Sequence, residues 1–144
     1  MVVANDNQIT VIADKLFTST TLQALILTTN KLSTLPSNIA ECLNLRTLIL
    51  SFNNIAVLPD NIARLRMLER IHLDNNKLKE LPNGWLHLTK LLHMDISSNQ
   101  LTKEVRSHDF SCLLTVKCPS PWYAKRPARS PRTKTICAHL SQQT

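Results

Sequence analysis

Apolar residues recur along this chain with a spacing of 23 residues between Leu22 and Leu101. Three complete copies of the pattern occupy residues 22–44, 45–67 and 68–90, a half copy occupies 91–101, and residues 1–21 look like the second half of an earlier copy. Each copy reads L-x-x-L-x-L-x-x-N-x-L, followed by x-x-L-P-x-x-I-x-x-L. Such a period indicates one supersecondary unit that is stacked repeatedly.

The first half of each copy predicts a short strand. In residues 22–30, Leu25 and Leu27 alternate with Ile26, so one face of the strand points inward. Further along, Leu35, Ile39 and Cys42 stand at roughly helical spacing, and Pro36 follows Leu35 at a helix-start position, which predicts a short helical or 3₁₀ segment that begins at the proline. Because equivalent strands are one copy apart, they must run parallel, and the stacked coils form an α/β solenoid with one continuous core.

One polar column repeats with the leucines, at Asn30, Asn53, Asn76 and Asn99. A polar side chain inside such a core must be hydrogen-bonded, and an asparagine has both donors and acceptors. We predict a ladder in which these side chains satisfy the backbone groups freed where the chain leaves each strand. The alternative is a set of solvent-facing turn residues; neither interpretation makes the asparagines a ligand site.

The repeated motifs are TLQALILTTNKLSTLPSNI, LRTLILSFNNIAVLPDNI, LERIHLDNNKLKELPNGW and LLHMDISSNQL. They resemble the leucine-rich repeat family in its 23-residue "LP" intracellular variety, as in the repeats of Ras-pathway and cell-polarity scaffold proteins. The resemblance implies a curved, right-handed superhelix with a parallel sheet on its concave side and helical or 3₁₀ segments on its convex side. It also implies a non-enzymatic scaffold that binds a partner protein and needs no cofactor.

The solvent side of the predicted sheet, called the sheet face below, carries the candidate binding residues. Its N-terminal half offers an apolar patch with an aromatic residue that suits an interface anchor, and its C-terminal half offers charge. The candidates are Ile26, Ile49, Phe52, Arg70, His72, Asp74, His93 and Asp95. Two other interpretations stay open: the isoleucines satisfy strand propensity, and the His and Asp residues form a solvated polar face with cross-strand pairs such as His72 and Asp95. A flat sheet splays these side chains, so we predict neither a metal site nor an acid–base pair.

The repeat pattern fails after Leu101, because Glu104 and Val105 stand where the next Leu-Pro pair is due. We therefore predict a solenoid over residues 1–103 and a basic, proline-containing tail without regular structure over 104–144. The tail holds most of the positive charge: residues 102–144 carry 8 Lys/Arg and 2 Asp/Glu, whereas residues 1–101 carry 9 and 8. Nucleic acid or an anionic membrane surface is a possible partner only through this tail. A further hypothesis is that Phe110, Leu113, Leu114 and Val116 cover the end of the core.

Composition and short motifs limit the cellular compartment and the functional class of the protein. The chain has 144 residues and a single glycine, with no N-x-S/T site, no signal-like start and no apolar run of membrane-spanning length. Cys42 falls in a core column, and the spacing of the other three cysteines fits no common zinc pattern. These features predict an intracellular, reducing compartment, and P-loop, G-x-S-x-G and H-E-x-x-H motifs are absent from the sequence. The resemblance then implies a cytoplasmic signalling adaptor, which we expect to be a monomer. The alternative is a truncated or spliced fragment of a larger repeat-containing signalling enzyme of the kinase, GTPase or cyclase type.

Overall fold

The computed structural model describes residues 1–18, 20–102 and 115–117. Six short strands form one parallel sheet in chain order: β1 (Val2–Val3), β2 (Ala24–Ile26), β3 (Thr47–Ile49), β4 (Arg70–His72), β5 (His93–Asp95) and β6 (Thr115–Lys117). Four 3₁₀ helices return the chain between strands: η1 (Asp14–Thr18), η2 (Ser37–Glu41), η3 (Asp60–Arg64) and η4 (Asn83–His87). This open, repetitive arrangement is the predicted α/β solenoid.

The strand register confirms the 23-residue alignment through the first five strands. Leu25 pairs with Leu48, Leu48 with Ile71, and Ile71 with Met94. All four side chains are buried, with an exposed fraction of at most 2%. The neighbouring strand residues are partly or fully exposed, because successive side chains of a strand point to opposite faces. The inward columns therefore form one core that runs the length of the solenoid.

The Leu-Pro pairs end the turns and start the 3₁₀ helices. Pro36, Pro59 and Pro82 each stand one residue before a helix rather than at its first position, with φ between −68° and −60°. Their carbonyl oxygens accept the first 3₁₀ hydrogen bonds, from the N–H groups of Ile39, Ile62 and Trp85 at 3.1–3.2 Å. A proline costs nothing here, since the first N–H groups of a helix have no partner within it.

The asparagine ladder is present as predicted. Asn53 Nδ2 donates to the carbonyl oxygens of Leu50 (3.1 Å) and Ser51 (3.3 Å) in its own coil and of Leu27 (2.9 Å) in the preceding coil. Its Oδ1 accepts the N–H of Leu32 at 3.0 Å. The equivalent bonds are made by Asn30, Asn76 and Asn99. Each asparagine thus stabilises the turn of its own coil by hydrogen bonds and links that turn to the preceding coil.

Phe17 is a core residue that the repeat pattern did not predict. Its side chain is 1% exposed, and the equivalent positions one and two coils later hold Ala40 and Ala63. The Cys42 thiol donates to the Phe17 carbonyl oxygen at 3.5 Å. Cys42 itself is fully buried, as its place in a core column predicts. The partial first coil therefore contributes a large aromatic side chain to the shared core.

The sheet extends beyond residue 103, where the sequence predicts the solenoid to end. β6 pairs in parallel with β5, with Met94 opposite Val116. This step is 22 residues instead of 23, so Val116, and not Lys117, joins the register column of Met94. A search at a fixed period misses this strand because one residue fewer separates it from β5. The other tail residues, including the cap candidates Phe110, Leu113 and Leu114, lie outside the described residues.

Candidate functional site

The strands bring six of the eight candidate residues of the sheet face into two adjacent columns, while Phe52 and Asp74 lie past the strand ends. Val3, Ile26, Ile49, His72 and Asp95 are successive Cα partners across β1 to β5. Ala24, Thr47, Arg70 and His93 are successive partners in the second column. These strand residues therefore lie on one surface, with apolar residues toward β1 and charged residues toward β5.

Phe52 is the most exposed of the large apolar candidates. Its exposed fraction is 54%, whereas Ile26 and Ile49 are half-buried. Phe52 lies just past β3, and its N–H donates to the carbonyl oxygen of Asp74 in the next coil at 3.0 Å. Phe52 therefore follows the end of β3 and is not a member of the apolar column.

The backbone of Phe52 adopts a left-handed conformation, with φ of 56°. Every coil has a positive φ at this position, immediately before the ladder asparagine: Asp6 (54°), Thr29 (55°), Phe52 (56°), Asn75 (54°) and Ser98 (52°). Asp and Asn tolerate this region, whereas bulky and β-branched residues rarely adopt it and pay about 1–2 kcal/mol. The sequence carried a signal for this geometry, since two of the five residues are Asp or Asn, but the repeat motif leaves this position unspecified.

The acidic candidates are held by neighbouring side chains. Asp74 accepts a hydrogen bond from Ser51 Oγ (2.5 Å) at one carboxylate oxygen and from Asn75 Nδ2 (2.9 Å) at the other. Asp95 Oδ1 accepts from both the N–H (3.1 Å) and the hydroxyl (2.6 Å) of Ser97. Both carboxylates thus stabilise the strand ends and are less available to a ligand.

The basic candidates differ from one another in their partners. Directly before the start of β3, Arg46 forms a salt bridge with Glu69. Arg70 is exposed, its side chain has no hydrogen-bond or ion-pair partner among the described residues, and its Cα partner on β5 is His93. His72 is the Cα partner of Asp95, so these two are adjacent as predicted. Arg70 is therefore the candidate that can offer an unused cation to a ligand.

Within the described ranges, no cluster of three or more His, Cys, Asp and Glu side chains has the grouping of a metal site. No helix in the same ranges is both long enough and apolar enough to cross a membrane. The single sulfur nucleophile there, Cys42, lies in the core, and burial, followed by the nearby charge of Glu41, raises the pKa of its thiol. The chemistry that the sheet face offers is apolar contact, aromatic contact and hydrogen bonding.

A sequence model of the family "Leucine rich repeat" matches residues 2–55 and 66–116. The chain belongs to the leucine-rich repeat family. Leucine-rich repeat domains typically mediate protein–protein contacts and are not catalytic, because stacked coils create an extended binding surface. The matched range reaches the first two residues of β6, in agreement with a sixth strand of the sheet.

Solved structures with a similar fold include two bacterial proteins and a plant ectodomain. A leucine-rich repeat protein of Leptospira interrogans superimposes with a TM-score of 0.75 and 28% identity over 82% of this chain. The functional domain of InlJ from Listeria monocytogenes, which includes a cysteine ladder, superimposes with a TM-score of 0.65 and 28% sequence identity over 76% of this chain. The leucine-rich repeat ectodomain of the receptor kinase SOBIR1 from Arabidopsis thaliana superimposes with a TM-score of 0.68 and 22% sequence identity over 83% of this chain. At this identity the similarity shows the fold alone.

The chain spans only part of these proteins: 31% of the Leptospira chain, 22% of the Listeria chain and 73% of the Arabidopsis ectodomain. No protein of established function matches the sequence. The comparisons thus establish the repeat family, while the partner of this chain is a separate question.

Proposed function

We propose that this protein is a non-enzymatic adaptor that binds a partner protein on its sheet face. The observation that carries the proposal is Phe52, a large aromatic side chain that follows the end of β3 and is 54% exposed. Aromatic residues dominate the energetics of protein interfaces.

The surroundings of Phe52 support the same proposal. Ile26 and Ile49 offer apolar area beside it, and Arg70 offers an unpaired cation near the other end of the strands. An apolar centre with a polar rim is typical of protein interfaces. The proposed protein-binding residues are Ile26, Ile49, Phe52, Arg70, His72, Asp74, His93 and Asp95, with the last four contributing the polar rim.

We further propose that the repeats are of the 23-residue LP type and that the protein acts as a monomer in cytoplasmic signalling. The three aligned Leu-Pro pairs and the constant 23-residue step through β5 support the repeat type. The low use of glycine, one residue in the whole chain, supports it as well. The cellular setting rests on the sequence resemblance to Ras-pathway and cell-polarity scaffolds.

Affinity purification with paired variants tests the proposal. Phe52→Ala and Arg70→Glu change the sheet face, while Leu43→Ala and Arg66→Glu make matched changes at exposed side chains in the turns that follow η2 and η3. We expect the two sheet-face variants to lose the same specific proteins, and the two controls to retain them. Retention of every protein by Phe52→Ala and Arg70→Glu would show that the partner binds elsewhere.

A further inference from the structure

The single glycine of the chain follows an exposed asparagine. Asn83 and Gly84 are the first two residues of η4, and the Asn83 side chain is exposed. In such a pair the backbone nitrogen after the asparagine can approach the carboxamide carbon closely, because glycine has no Cβ to obstruct it. Since the sequence holds one glycine, it holds one Asn-Gly pair.

The Asn83 carboxamide is not held by the fold. It makes no hydrogen bond among the described residues. The asparagines of η2 and η3 differ in this respect, because each donates from Nδ2 to a backbone carbonyl oxygen of the preceding coil. Asn38 donates to Asp14 at 3.2 Å. Asn61 donates to Ser37 at 2.7 Å. The carboxamide of Asn83 is therefore free to rotate toward its own backbone.

The first turn of η4 is weakly held as well. Its first backbone hydrogen bond runs from the Trp85 N–H to the Pro82 carbonyl oxygen at 3.2 Å, and no side chain caps the helix. The Gly84 N–H has no backbone partner among the described residues. Helical backbone angles keep the Asn83 carboxamide away from the Gly84 nitrogen, so the two groups meet when this turn opens. Opening a terminal turn needs far less free energy than global unfolding.

We propose that Asn83 is a site of spontaneous covalent modification, with water as the co-reactant. The Gly84 nitrogen attacks the side-chain carbonyl carbon of Asn83 and loses its proton, while the side-chain nitrogen gains a proton and leaves as ammonia. Water then adds to one of the two carbonyl groups of the resulting cyclic imide and opens the ring. One opening gives aspartate, and the other gives isoaspartate, in which the main chain runs through the side-chain carbon. No oxidant or reductant is needed.

The fold accepts one product and not the other. Aspartate already stands at the equivalent first position of η1 and η3, as Asp14 and Asp60. Isoaspartate adds a carbon atom to the main chain directly before Gly84, whose backbone packs so closely on η3 that a Cβ there would overlap the Ala63 Cβ. The lengthened chain must therefore displace η4 and its buried Trp85.

Timed incubation of the full chain at pH 7.4 and 37 °C, followed by peptide mass spectrometry, tests the site. The Asn83 peptide should gain the mass of an NH₂-to-OH exchange at least tenfold faster than the Asn54 peptide. Asn54 is the matched control, because its carboxamide also has no partner among the described residues but the branched Ile55 follows it. A synthetic peptide of residues 79–88 gives the rate without the fold. Equal rates at Asn83 and Asn54, or an unmodified Asn83 after the peptide has converted, would overturn the proposal.

Chromatographic separation of the aged forms tests the consequence for η4. The aspartate form and Asn83→Asp should melt close to the parent, whereas the isoaspartate form should melt several degrees lower. Asn83→Ser copies Ser37, the equivalent residue of η2, and should show neither the mass gain nor a loss of melting temperature on incubation. An isoaspartate form that melts with the parent, or an equal loss in Asn83→Ser, would overturn the predicted displacement of η4.

Discussion

Replacing Thr29 by asparagine should stabilise the solenoid. Thr29 has a φ of 55°, which brings the branched Cβ of a threonine too close to its own backbone. The coil geometry imposes this conformation, because the Thr29 N–H donates to the Ser51 carbonyl oxygen (3.0 Å) and the next residue begins the ladder. Two coils later the same position holds Asn75, a residue that tolerates left-handed backbone.

The expected gain is about 1 kcal/mol in the free energy of unfolding. A left-handed conformation costs a non-glycine residue about 1–2 kcal/mol, and asparagine recovers much of this through local hydrogen bonding. Little is lost in exchange, since the Thr29 side chain is exposed and leaves no cavity. Phe52→Asn is a poorer test of strain alone, because half of that side chain is buried, and losing this contact offsets the relief.

Urea unfolding followed by far-ultraviolet circular dichroism measures the change. The midpoint should rise with an unchanged slope, and the melting temperature should rise by roughly 4 °C. The matched control is Thr28→Asn, the same chemical change one residue earlier, where φ is not positive. Asparagine is unfavourable in extended backbone, so the control should gain nothing. Equal stability of the two variants would refute the argument that the positive φ of Thr29 is costly.

Three further substitutions test other parts of the fold. Asn76→Leu should lower the free energy of unfolding by about 3 kcal/mol in the same urea assay, since it leaves buried backbone groups of two coils unsatisfied; a loss below about 1 kcal/mol would reject the ladder as a stabilising element. Gly84→Ala should lower the free energy of unfolding by about 1–3 kcal/mol, because the new Cβ would lie 2.4 Å from the Ala63 Cβ. Adding Ala63→Gly should restore part of this loss, and a double variant that restores none of it would place the clash elsewhere. Burial raises the pKa of Cys42, so its alkylation at pH 8, followed by peptide mass spectrometry, should be much slower in the folded protein than in urea. The folded thiol keeps its proton when the unfolded thiol ionises, so the free energy of unfolding should fall above about pH 8.5, and Cys42→Ala should lack this contribution.

The sequence alone determined the architecture and the membership of the sheet face. A fixed period of 23 residues places chemically equivalent positions side by side, so Leu25, Leu48 and Ile71 had to become neighbours once the coils stacked. The ladder followed for the same reason, because an asparagine repeated with the leucines must satisfy the same turn in every coil. These inferences needed only residue types and spacing.

The tertiary structure decided which of those surface residues are available to a partner. Arg46 and Arg70 are equally basic in the sequence, but the first pairs with Glu69 and the second has no partner among the described residues. The 22-residue step to Val116 was also invisible to a period of 23, and the left-handed backbone at Phe52 does not appear in the pattern of apolar residues. The physical reason is common to all three. Ion pairs, backbone angles and strand register depend on distances between coils, and these are set only when the coils pack.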